Sequence, residues 1–148
     1  MIFRYYSALV LLLAFTIPVY ADFIDAEWTV EKFVGNAWFF EPEEFVGGTQ
    51  SFNQGYADGV FYTCRYEGQS MTYNSYLPED FFQNPEFQIF GMLQGEISDS
   101  ATTIFVHRIT CANPEGNSAP KVLYPFVTND VRQRAWYLLD SSVFSLKR

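Results

Sequence analysis

The chain has two cysteines, one histidine and nine basic side chains, against 17 acidic ones, in 148 residues. So few histidines and cysteines cannot furnish the three or four ligands of a zinc site. Cys64 and Cys111 stand far apart, so there is no C-x-x-C redox pair. The stretch from Asn53 to Gly59 lacks the dense carboxylates of a calcium loop, and no glycine-rich phosphate cradle occurs. No cofactor and no metal are therefore expected. A formal net charge of −8 argues against nucleic acid and anionic lipid as partners, since both are gripped by clustered Lys and Arg. Also missing are internal repeats, low-complexity tracts and, beyond residue 21, any Asn-x-Ser/Thr sequon. The last absence leans toward a bacterial periplasm.

The N-terminus carries the parts of an export signal. Arg4 supplies the positive end, and Ala8 to Ile17 is apolar apart from Thr16. Pro18 breaks that run, and Val19-Tyr20-Ala21 offers a cleavage site. The run is well short of the ~20 residues that span a bilayer. The expectation is a signal peptide over 1–21 and a single β-barrel domain over 22–148, exported to the periplasm or secreted, with no membrane span after cleavage. Two cysteines in an exported chain imply one disulfide, Cys64–Cys111. Closing a loop of that length stabilises by about 4 kcal/mol.

The runs that carry the two cysteines organise the remainder. Asp58–Tyr66 reads as a central strand, closed by a hairpin at Glu67-Gly68-Gln69 into a strand over 70–77. Ala101–Cys111 reads as its counterpart. Around them the pattern predicts a short helix over Asp22–Val34, from Phe23, Ala26, Val30, Phe33 and Val34, stopped by Gly35. A strand over 36–41, a bend at Pro42–Glu44 and a strand over 49–52 follow. Pro78–Pro85 reads as an irregular loop, Glu86–Ile97 as a long strand and Ala112–Ala119 as a loop. Strands over 121–128, 134–139 and 142–147 finish the chain. With no βαβ alternation the sheet should be antiparallel. An all-β, eight- or nine-stranded up-and-down barrel is expected, because closure removes exposed edges, with a two-sheet sandwich as the alternative.

Gly35-Asn36-Ala37-Trp38, after a helical arm and before a meander of strands, resembles the opening of the calycin group. That group includes lipocalins and bacterial periplasmic protease-inhibitor barrels. The spacing here is one residue longer than the group's G-x-W. The resemblance implies that Trp38 closes one barrel end beneath a basic residue, for which Arg134, Lys147 or Arg148 would serve. It also implies one of two roles, carriage of an apolar ligand or blockade of a protease.

Aromatic residues make up 20% of the chain, more than a core of this size demands. The leading expectation is an exported, non-enzymatic binding protein whose partner is a protein, such as a hydrolase that it inhibits, or a small apolar ligand. Asp80, Phe81 and Phe82 in the Pro-bounded loop are the candidate contact residues, with Tyr62, Tyr66 and Tyr73 as lining. Phe81 and Phe82 serve either as a lid or as a plug that folds back into the domain. An alternative is a small hydrolase that uses acids such as Glu43, with His107 assisting. His107 shares a strand face with Phe105, Ile109 and Cys111, where a lone histidine is more often packed than catalytic. A structural subunit of an exported assembly is the third reading.

Overall fold

The computed structural model describes residues 26–53, 55–111, 121–122, 125–130 and 133–148, with backbone alone for 66–72 and 121–122. The expected signal peptide over 1–21 and the loop Ala112–Ala119 lie outside the described residues.

Nine antiparallel strands form one curled, barrel-like sheet: β1 Ala26–Gly35, β2 Thr49–Phe52, β3 Tyr56–Gly59, β4 Cys64–Tyr76, β5 Ile104–Cys111, β6 Lys121–Val122, β7 Phe126–Asn129, β8 Arg134–Leu139 and β9 Ser142–Lys147. Hydrogen-bonded neighbours run in the order β4-β3-β2-β1-β9-β8-β7-β5-β6, and β4 also pairs with β5. Apart from β6 and β7, which both pair with β5, strands consecutive in the chain are adjacent in the sheet, and the last strand lies against the first. Cys64 and Cys111 are bonded, with their Cα atoms 5.6 Å apart, and so fasten the start of β4 to the end of β5.

The two faces of the sheet bury different side chains, as the period of two along a strand requires. The inner face gathers Trp28, Val30, Phe52, Ile109, Phe126, Tyr137, Phe144 and Leu146. The outer face gathers Ile104, Val106, Val127, Trp136 and Val143 beneath a helical cover. That cover is α1 (Pro78–Gln83), a 3₁₀ helix (Pro85–Leu93) and α2 (Gln94–Ser100), inserted between β4 and β5. It contributes Phe81, Phe87, Phe90, Leu93 and Ile97.

The expected N-terminal helix is instead β1. Ala26, Trp28 and Val30 alternate inward, then the register shifts between Val30 and Lys32. The bulge puts Phe33 on the inner face one residue late. Spacing of two followed by spacing of three imitates a helical stripe, and this misled the period.

Glu86–Ile97, expected as a strand, is helical. Pro85 opens it, and the Asn84 side chain accepts a 3.0 Å hydrogen bond from the Glu86 N–H. Phe87, Phe90 and Leu93 recur every three residues, which stacks them on one edge of a 3₁₀ helix. Pro78–Pro85 is likewise largely the helix α1 rather than an irregular loop. Residues 36–41 form a connection rather than a strand, whereas the bend at Pro42 is a 3₁₀ turn, Pro42–Phe45.

Two expectations near Cys64 also change. The central strand is split, because Val60–Thr63 leave the sheet between β3 and β4. A Cβ on Gly59 would lie 2.4 Å from the Thr49 carbonyl oxygen, a close approach that glycine alone permits. Glu67-Gly68-Gln69 does not make a hairpin. It lies inside β4, in the irregularity between Tyr66, opposite Cys111, and Met71, opposite Ile109. The run expected over 121–128 divides into β6 and β7, both paired to β5.

Candidate functional site

At the sheet end where β1 finishes and β8 turns into β9, four rings fill the interior. Phe40, Phe45 and Phe61 gather over Phe144, with centroids 5.1 Å apart for Phe40–Phe45, 5.5 Å for Phe45–Phe61 and 5.0 Å for Phe61–Phe144. Gln50, fully buried, shapes the Val60–Thr63 connection that brings Phe61 there. Its Oε1 accepts from the Phe61 N–H at 3.1 Å and the Tyr62 N–H at 3.3 Å, and its Nε2 donates to the Tyr62 carbonyl at 3.2 Å.

The connection from Asn36 to Glu41 crosses this end under tight control. Gly35 has φ +94°, and a side chain there would strike the Ser141 carbonyl oxygen. The Trp38 N–H donates to Asp140 Oδ2 at 2.5 Å, and Asp140 itself adopts φ +56° at the β8–β9 turn. Pro42 is buried on the far side. Held at both ends, the connection turns Phe40 inward and leaves its two neighbours outside. Trp38 is 80% exposed and Phe39 is 89% exposed. They border an open groove of about 710 Å³ that, among the described residues, is lined by Phe33 and by Gly35 to Glu44, including Glu41, Glu43 and Glu44. Another hollow, of about 590 Å³, lies beside the disulfide, at Gly55–Ala57 and Thr63–Arg65.

The outer wall carries a different polar centre. Glu96 of α2 sits between strands, with Lys32 Nζ at 2.5 Å, Ser145 Oγ at 2.5 Å, Arg134 Nη2 at 2.9 Å and Trp136 Nε1 at 3.1 Å. Burial alone would raise its pKa. The donors Lys32, Ser145, Arg134 and Trp136 overcome that and hold it down at about 2. Arg134 also pairs with Glu31 at 2.6 Å, and Lys147 with Glu31 at 3.4 Å. This network ties the helical cover to β1, β8 and β9. Its donors are committed to two carboxylates, Glu96 and Glu31, which makes it a fastening.

The residues singled out from sequence do not form one site. Phe81 is fully buried in the outer core, stacked 4.7 Å from Phe87, which is the plug arrangement on the outside of the sheet. Phe82 is half-buried against Phe81, and Asp80 is exposed on α1. Tyr62 joins the inner face, 5.8 Å from Tyr137. Tyr73, 48% exposed on β4, lies near the rings of Phe105 and His107. Tyr66 is in β4, and its side chain lies outside the described residues.

His107 is 3% exposed, with Nε2 2.9 Å from Thr128 Oγ1, while Glu43 lies exposed on the 3₁₀ turn. The calycin assignment of Trp38 is overturned: this tryptophan caps no barrel end, and Arg134 turns to Glu96 and Glu31 instead. Among the described residues no group of three or more His, Cys, Asp or Glu is placed to hold a metal ion. Nor is any described helix long and apolar enough to cross a membrane.

Sequence reasoning missed Phe39, Glu41, Glu43 and Glu44 as surface partners of Trp38. The available signal was the run Trp38-Phe39-Phe40, since three consecutive aromatics cannot all face one side of a strand. Comparison with known proteins adds no relative: no family model, curated protein or solved structure matches this chain.

Proposed function

We propose that this chain is an exported binding protein, shaped as an up-and-down barrel of the calycin kind, that docks a protein partner at the sheet end bearing Trp38 and Phe39. One observation carries the reading. Two adjacent large aromatics stand 80% and 89% exposed on a connection that is fastened on both sides. Exposing them works against the burial of about 1.5–3 kcal/mol that such side chains ordinarily gain. Aromatics kept outside on a pre-ordered segment are the usual anchors of protein interfaces. Export is inferred from the first 21 residues.

A protein partner is favoured over a small apolar ligand because the inner face is occupied by its own rings. Phe52, Phe126, Tyr137, Phe61 and Phe144 lie in mutual contact there. The test is affinity capture from the host's exported fraction on immobilised chain, comparing wild type with Trp38→Ser/Phe39→Ser and with Phe82→Ala. The reading predicts a captured protein that the double variant loses and Phe82→Ala retains. Native mass spectrometry showing a tenaciously bound molecule of a few hundred daltons would instead favour the carrier role.

A further inference from the structure

We infer that the Trp38–Phe39 face takes a cationic protein segment, one presenting arginine or lysine side chains. This rests on the binding role proposed above and adds the chemistry of the partner.

Charge is segregated along this chain. From Phe33 to Cys64 the chain contains no Lys or Arg at all. Among the described residues the groove beside Trp38 is lined by residues 33 and 35–44, and the charges it draws from them are Glu41, Glu43 and Glu44. All three are exposed. None takes part in a salt bridge among the described residues, whereas Glu31, Glu86 and Glu96 are all matched by Lys32, Arg108, Arg134 or Lys147. The described ion pairs are thus confined to other parts of the molecule, and among the described residues no cation is matched to the carboxylates at this end. Asp140 beneath it is used to hold Trp38 in place.

An aromatic face beside free carboxylates suits a guanidinium or ammonium group. The ring attracts the cation through its quadrupole, and the carboxylates complete the pairing at the rim. The same acids repel an anionic membrane, the other surface on which exposed Trp and Phe are common. The net charge of −8 steers approach in the same sense.

Trp28 and Trp136 are fully buried, so surface changes in tryptophan fluorescence report Trp38. The experiment titrates the oxidised chain with three blocked peptides of about twelve residues, alike except that their variable positions carry arginine, glutamine or glutamate. The arginine peptide is expected to shift the emission, with a Kd at least about tenfold below that of the glutamine peptide. That gap should shrink when ionic strength rises from about 0.05 to about 0.5 M. The triple variant Glu41→Gln/Glu43→Gln/Glu44→Gln should abolish the gap without moving the far-ultraviolet spectrum.

Equal affinity for the arginine and glutamine peptides overturns the inference while leaving the binding role standing. So does a response to zwitterionic vesicles with none to the arginine peptide. No response to any peptide also overturns it. The capture experiment with Trp38→Ser/Phe39→Ser then judges the binding role separately.

Discussion

The backbone N–H of Trp38 and the side chain of Asp140 meet at 2.5 Å across 102 residues of chain. This bond places the exposed aromatic pair on the sheet and ties its presentation to the β8–β9 turn. Asp140→Ala removes the acceptor and also sets a β-carbon at φ +56° without the local polar support that Asp or Asn provides. It should cost about 1–2 kcal/mol in urea unfolding, most of it the lost hydrogen bond. Trp38 fluorescence anisotropy should fall as the connection loosens. Asp140→Asn should keep most of both.

Glu96 makes stability depend on acid. Its folded pKa of about 2 lies below the ordinary 4.5. The stability it contributes is therefore full above about pH 4.5 and lost as pH falls through about 2. With solvent screening allowed for, the contribution is about 2 kcal/mol. Glu96→Gln should unfold more easily than wild type at pH 7 by roughly that amount. The difference should close between about pH 4.5 and pH 2. Denaturant titrations at three pH values across this window would show it.

Phe81 and Phe82 should separate cleanly in a stability measurement. Phe81 is fully buried among other rings, so Phe81→Ala leaves a cavity costing about 3–4 kcal/mol. Phe82 is half-buried, and Phe82→Ala should cost about 1 kcal/mol. Thermal unfolding of the two variants checks this. Similar melting temperatures would mean that the helical cover is not seated as described.

Gln50 should matter more than a surface glutamine does. Gln50→Ala leaves the Phe61 and Tyr62 N–H groups without their shared acceptor inside the protein. The expected loss is about 2–3 kcal/mol. Amide exchange at Phe61 and Tyr62 should accelerate before exchange in β8 or β9 does.

The parts of this fold legible in the sequence are those in which local pattern and final environment agree. Arg134–Leu139 and Ser142–Lys147 are short runs of mostly apolar residues parted by the turn at Asp140-Ser141, and they are strands with the expected bounds. The cysteine pairing and the inward face of His107 were legible for the same reason. The pattern misled where it carried two periods at once. Glu31 occupies a bulge that turns strand spacing into apparent helix spacing. Phe87 to Ile97 fits both alternation and a three-residue repeat, and the helix follows from Pro85 and the Asn84 cap. The candidate site was least legible. Trp38 had the look of a core tryptophan, and its exposure depends on Asp140 and Ser141, which lie over a hundred residues away in the chain.

The most direct test is hydroxyl-radical footprinting of the chain, once purified and once within its host's exported fraction. Trp38 and Phe39, at 80% and 89% exposure, label readily when free, and Tyr73, at 48%, serves as an internal reference. The account predicts at least about fivefold protection of Trp38 and Phe39 in the fraction, with Tyr73 unchanged. Unaltered labelling of Trp38 and Phe39, with protection appearing at Tyr73 or Phe82, would contradict it.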